Sequence, residues 1–235
     1  MGTPTSKNRI AALIVAAGRG TRFGGETPKQ YVPLNGPCAF RRSLERFLEH
    51  PDVAVVQPVI HADDQALFAK AIEGLDHPDL QPPVTGGATR AASVLRGLEA
   101  LESAAADCVL VHDAARPFLP ANVITDVVKA LETSPAAFAA LPVVDALWSS
   151  EGGLAQASVA RDGLWRAQPP QGFHFKALLA AHRAHSGDAA DDVAIVRAQN
   201  VPVQIVQGHT SNFKITTPED LDRALSLVAL EANST

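Results

Sequence analysis

Short apolar runs alternate with stretches of helical period along most of the chain, and this alternation restricts the fold more than any single motif does. Ile10 to Ala16 is one such run, ending at Gly18, and the β-branched run Val53 to Ile60 is another. Between them Phe40, Leu44, Phe47 and Leu48 recur at helical spacing, which completes one βαβ unit. Helices are then expected on Leu67, Phe68 and Ile72 and on Val94, Leu98 and Leu101. A strand at Cys108 to Val111, a helix on Ile124, Val127, Val128 and Leu131, and a strand at Ala137 to Leu141 follow. The fold class this predicts is α/β, a Rossmann-like, mostly parallel sheet with helices on both faces and ligands at the carboxyl ends of the strands.

The rhythm breaks between Asp145 and Gln171, where Gly152, Gly153, Gly163 and Pro169-Pro170 leave no helical period, so an excursion from the core is expected there. Helices resume at Phe175 to His185 and at Asp191 to Gln199, and Val201 to Val206 alternates like a strand. Thr217, Pro218, Glu219 and Asp220 form a helix-start signature for a last helix reaching about Glu231. The expectation is a single domain over residues 1–235 with an arm at about 145–171.

A chain of 235 residues, 46% of them hydrophobic, can bury a sizeable core. Its 20 basic and 25 acidic residues give no overall field that would gather nucleic acid, so any phosphate binding must be local. Cys38 and Cys108 fall at a helix start and in a buried strand, where packing rather than a disulfide is expected. Met1 to Asn8 is polar and no apolar run approaches a membrane span, which reads as a soluble, cytoplasmic chain with no membrane partner.

Two clusters could carry chemistry. In the loop Ala16 to Gln30, Gly18, Gly20, Gly24 and Gly25 allow backbone amides to approach phosphate oxygens, and Arg22 and Lys29 supply cations. The loop lacks the Gly-Lys-Ser/Thr of a Walker motif and the third glycine of a dinucleotide fingerprint, and a solvated strand-to-helix connection would use the same residues. In Val111 to Pro117, Asp113 stands where a buried strand leaves the sheet; it could accept from a ribose or polyol hydroxyl or help hold a magnesium ion, and Arg116 could fork onto a phosphate. An Asp-Arg pair closing a tight turn is the plain alternative. Gly86-Gly87, Arg90, Ser93, Arg161 and Lys214 are scattered, and taken singly each reads as turn or surface charge.

The eight histidines show no zinc spacing with cysteine, which argues against a metal hydrolase, and His182 with His185 is expected on a wet helix face. No Gly-x-Ser-x-Gly elbow supports a nucleophilic serine.

Taken together, Ala16-Ala17-Gly18-x-Gly20-x-x-Phe23, Pro28-Lys29-Gln30, Val111 to Pro117, Gly163-Leu164-Trp165 and Asn212-Phe213-Lys214 resemble the 2-C-methyl-D-erythritol 4-phosphate cytidylyltransferases from about Ile10 to Leu225. The resemblance implies a nucleotide-diphospho-sugar transferase fold and transfer of a cytidylyl group from CTP to 2-C-methyl-D-erythritol 4-phosphate, in the non-mevalonate isoprenoid pathway. It implies Arg22, Lys29, Arg161 and Lys214 as catalytic residues. Ala16, Ala17, Gly18, Gly20, Gly87, Ser93, Asp113, Ala114 and Arg116 become substrate contacts, with Asp113 also a candidate ligand to Mg2+. The arm would cross to a second subunit, making a homodimer in which Arg161 serves the neighbour's site. The chain departs from the family pattern at Val15, Ala88, Thr89, Ala146 and Pro169. The last two remove hydroxyls usual in polyol recognition and keep another polyol phosphate, such as ribitol phosphate, open as acceptor; a non-catalytic nucleotide-binding module is the alternative of another class.

Overall fold

The computed structural model describes residues 8–19, 23, 27–187 and 189–232. In chain order the elements are β1 (Ile10–Val15), α1 (Ala39–Leu48), β2 (Val53–Ile60), α2 (Gln65–Ala71), β3 (Val84–Thr85), α3 (Arg90–Ala100), β4 (Cys108–Asp113), α4 (Ala121–Ala130) and β5 (Ala136–Pro142). They continue with β6 (Leu147–Glu151), β7 (Leu154–Val159), β8 (Trp165–His174), α5 (Phe175–Ala184), α6 (Asp192–Ala198), β9 (Gln204–Gln207) and α7 (Pro218–Ala232). Seven strands form one sheet in the order β3-β2-β1-β4-β8-β5-β9, and β8 alone runs antiparallel to its neighbours.

The pleat of β1 explains why both faces are covered. Ile10, Ala12 and Ile14 point to one side, into a core with Phe40, Leu44 and Phe47 of α1 and Val123, Ile124 and Val127 of α4. Ala11 and Leu13 point to the other, against Val94 and Leu98 of α3, Leu178 of α5 and Ile195 of α6. A strand apolar on both faces must be sandwiched between helices, and β4 repeats the division with Leu110 against Val109 and Val111. Both cysteines are buried and unbridged.

The expected excursion divides in two. Residues 147–159 form an antiparallel hairpin, β6 with β7, that pairs only with itself and is exposed along almost its whole length. Trp165 onward is instead β8, and Gln168 to Phe173 lie buried in the main sheet. Periodicity misses this strand because glutamines and prolines occupy its centre; their polarity is absorbed locally, as where Gln168 Nε2 donates to His209 O at 3.1 Å and Gln171 Nε2 to Asp191 Oδ2 at 2.8 Å. The helical span at 175–185, the helix at 191–199 and the last helix are found within a residue or two of expectation. His182 corrects the expectation of a wet face. It is buried in α5, with Nε2 at 3.0 Å from Asp192 Oδ1.

Candidate functional site

Chain order runs outward from β1 through β2 to β3 and then restarts on the other side of β1 with β4. The connections leaving the carboxyl ends of β1 and β4 therefore part in opposite directions, opening a crevice where α/β sheets bind ligands. Val15 pairs with Asp113 at this edge, and Ala114 N donates to Val15 O at 3.0 Å. Ala16 to Gly18 leave on one side and Asp113 to Arg116 on the other. A cavity of about 520 Å³ fills the space between, lined by Ala16, Ala17, Gly18, Lys29, Gly87, Arg90, Ser93, Asp113, Ala114 and Lys214 among others.

The first loop is held from two directions. Buried Gln30 donates through Nε2 to Ala16 O at 2.8 Å and Gly18 O at 3.3 Å, turning that backbone toward the cavity. Arg19 donates to Asp64 Oδ1 at 2.9 Å, to Asp63 Oδ2 at 2.6 Å and to His61 Nδ1, tying the loop to the end of β2. Gly20 and Arg22, both expected in the site, lie outside the described residues.

The wall opposite is the turn between β3 and α3. Ser93 Oγ accepts from Gly87 N at 3.1 Å and donates to Thr89 O at 2.9 Å, bracing the turn from inside. A Cβ on Gly86 would stand 2.4 Å from that of Ala17, so only glycine lets this turn press against the first loop. Ser93 is thus a brace for the backbone as well as a lining residue.

Charge concentrates on Asp113. Lys214 Nζ donates to its Oδ2 at 2.9 Å, Arg116 Nε lies 3.6 Å from the same oxygen and Arg90 Nε 3.9 Å from Oδ1. Burial works against ionisation of Asp113, but Lys214, Arg90 and Arg116 together outweigh it and hold the carboxyl far below the usual carboxylate range. The plain reading of Asp113 and Arg116 as a turn is also present, since Arg116 N donates to Asp113 O at 3.0 Å. His112, fully buried, shapes that turn: a carbonyl can only accept, so Nε2 carries the proton it gives to Arg116 O at 3.1 Å. Arg90 is anchored from behind by Asp192, with Nη2 2.8 Å from Oδ2, and burial of Arg90 is outweighed by Asp192 and Asp113, which raise its affinity for the proton.

The expected residues are not all brought together. Arg116 faces a second cavity of about 370 Å³, which Lys214 borders from the other side. Arg161 lines neither cavity; it sits beyond β7 and donates to Val144 O within the hairpin region. Arg90 and Gln30, both singled out in the sequence, belong to the site by position, as does the clamp His61, Asp63 and Asp64, for which sequence spacing carries no signal because its partner Arg19 lies more than 40 residues earlier. Among the described residues no three His, Cys, Asp or Glu side chains gather as a metal cluster, and no helix is long and apolar enough to cross a membrane.

Comparison with known proteins extends the picture over the whole fold. A 2-C-methyl-D-erythritol 4-phosphate cytidylyltransferase of Cereibacter sphaeroides is 49% identical over 222 residues, 94% of this chain and 98% of the relative. A bifunctional IspD/IspF enzyme of Rhodospirillum rubrum is 49% identical over 217 residues, of whose length this chain spans 56%. The crystal structure of a 4-diphosphocytidyl-2C-methyl-D-erythritol synthase superposes with a TM-score of 0.82 at 31% identity, covering 95% of this chain and all of that one (100%). The cytidylyltransferase of Thermus thermophilus gives 0.74 at 33% identity, covering 92% and 98%. With the family model matching residues 10–229, the chain belongs to the IspD family, the 2-C-methyl-D-erythritol 4-phosphate cytidylyltransferases.

Proposed function

We propose that this chain transfers the cytidylyl group of CTP to the phosphate of 2-C-methyl-D-erythritol 4-phosphate and releases pyrophosphate, a step of non-mevalonate isoprenoid synthesis carried out in the cytoplasm. The observation that carries the reading is the meeting of Lys29, Arg90, Asp113 and Lys214 with the braced Gly87 turn around one cavity at the sheet's switch point. An acceptor phosphate oxygen forms a bond to the α-phosphorus of CTP, the bond from that phosphorus to the α,β-bridging oxygen breaks, and pyrophosphate leaves with the electron pair. The attacking oxygen is already ionised, so no general base is required.

Alignment and charge neutralisation remain for the protein to supply. Lys29 and Arg22 stabilise the triphosphate as charge moves toward pyrophosphate. Backbone of Ala16 to Gly20 and of Gly87 holds the nucleotide, with Ser93, Asp113 and Ala114 at its cytidine and ribose. Lys214 and Arg116 meet the acceptor. Asp113 is the one carboxylate among the described residues lining the cavity. That fits Mg2+, which keeps few protein ligands and takes the rest of its shell from phosphates and water. When bound, the ion would supply neutralisation of the triphosphate oxygens.

The exposed apolar side chains Trp148, Leu154, Val159 and Leu164 on and beside the hairpin support its reading as an arm that packs on a second copy, where Arg161 would reach the neighbour's acceptor. Pyrophosphate measured with each nucleoside triphosphate and with methylerythritol or ribitol phosphate tests the activity. Release is expected with CTP and methylerythritol phosphate, and Lys29→Ala should reduce turnover at least a hundredfold with melting unchanged. Preference for ribitol phosphate overturns the acceptor, and no release with any pair favours a binding module.

A further inference from the structure

The second cavity shares Lys214 with the first and adds two arginines that the reading above does not use. Arg116 after β4, Arg166 on β8, Lys214 in the loop before α7 and Arg223 on α7 all line it, and no carboxylate lines it among the described residues. Asp113 answers the charge of Lys214 and, at 3.6 Å, of Arg116. Neither Arg166 nor Arg223 has a carboxylate partner among the described residues.

Arg223 is also held in place. Its guanidinium carbon lies 4.0 Å from the centre of the Phe213 ring, which itself stacks on Phe118 at 5.8 Å, and Nη2 donates to Thr210 O at 3.2 Å. A guanidinium held over an aromatic face keeps its charge and its other N–H groups, and a phosphate can take two such N–H groups at once. Arg166 and Arg223 line the same cavity as Arg116 and Lys214 with no carboxylate of their own among the described residues, and an anion bound there would offset their charge. Lys214 lines both cavities, so an anion bound in the second lies beside whatever occupies the first.

We infer that Arg166 and Arg223 are specificity-determining residues for the acceptor, holding its phosphomonoester dianion in the second cavity together with Arg116 and Lys214. This rests on the cytidylyltransferase reading and deepens it: the two arginines select a phosphorylated polyol over the free polyol and seat its phosphate against the nucleotide. Neither is asked to touch CTP.

Steady-state pyrophosphate release, with CTP and 2-C-methyl-D-erythritol 4-phosphate varied in turn, tests this in Arg166→Ala, Arg223→Ala and Arg223→Lys. Each alanine variant should raise the acceptor KM about tenfold or more while the KM for CTP stays within twofold. Arg223→Lys, which keeps the charge but not the fork, should recover only part of the loss. Because Arg223 also supports the loop at Thr210, its change could disturb Lys214; Arg166 makes no such contact, so its variant decides that case. Acceptor KM values within twofold of the unaltered protein in both alanine variants overturn the inference and leave the activity standing. Equal rises in both KM values, pointing to general distortion of the site, also overturn it. No pyrophosphate release by the unaltered protein overturns the activity and the inference with it.

Discussion

Between about pH 6.5 and pH 4, acidification should weaken this protein through His112. Burial drives its pKa from an ordinary 6.5 down to about 4, with smaller contributions from its neighbours. Between those values the unfolded chain binds a proton that the native state refuses, so stability rises with pH in that window and falls as the pH drops through it. The native state carries no penalty from His112 above about pH 6.5; the penalty reaches about 2 kcal/mol at pH 5 and about 3 kcal/mol at pH 4. The physical cause is that His112 is enclosed, its ring 5.1 Å from that of Phe47 and bonded through Nε2 to Arg116 O, with no room to hydrate a charged ring. Urea unfolding at half-unit steps from pH 7.5 to 4.5 measures this in the native protein and in His112→Gln, which cannot titrate. The variant should be less stable at neutral pH, through loss of packing around Phe47, yet its stability should fall less steeply with acid, by up to ~1.4 kcal/mol per pH unit. Parallel curves for the two proteins would refute the assignment of this slope to His112.

Three other outcomes are expected. Gly97→Ala puts a methyl 2.3 Å from Leu13 Cδ1 and 2.7 Å from Val59 Cγ2, where α3 crosses the sheet; overpacking should cost about 1–3 kcal/mol, partly offset by better helix propensity, and denaturant titration at neutral pH reads the difference. Asp192→Asn leaves Arg90 and His182 without their shared buried anion and should lose about 3–5 kcal/mol; an unchanged melting temperature would show that the ion pair is not a stabilising element. Replacing Trp148 and Leu154, 62% and 70% exposed, by glutamate should convert a dimer to a monomer in sedimentation, and a monomer before the change removes the arm's assigned role.

Much of the fold is legible in the chain because β1, β2 and β4 are apolar on both faces, and only a sheet covered twice can accommodate such strands. β8 is not legible for the opposite reason. Its buried centre holds Gln168 and Gln171, whose amides serve the backbone at His209 and the side chain of Asp191, and these partners come 41 and 20 residues later. The same limit applies to His182: a histidine three residues from another on a helix gives no sign of an aspartate across the core. Within the site, residues that act through the backbone of a glycine-rich loop or at a strand end are readable from local motifs, as with Gly18, Lys29 and Asp113. Arg90 is picked out in the sequence only as a scattered charge and Arg223 not at all, because their roles depend on Asp192 and Phe213, which only folding brings near.

The hairpin is rooted in the interior of the sheet, since the chain enters it from β5 and returns along β8, and β8 is bonded on its other side to the strand that ends in Asp113. Its free end and its root therefore tolerate change very differently. Around Gly152 and Gly153 the chain could be cut, lengthened or fused to a reporter without moving a single rung of the central ladder. One residue inserted between Trp165 and Gln171 would slide the returning strand by a step, exchange its two faces and turn Arg166 and Gln168 away from the cavity they line.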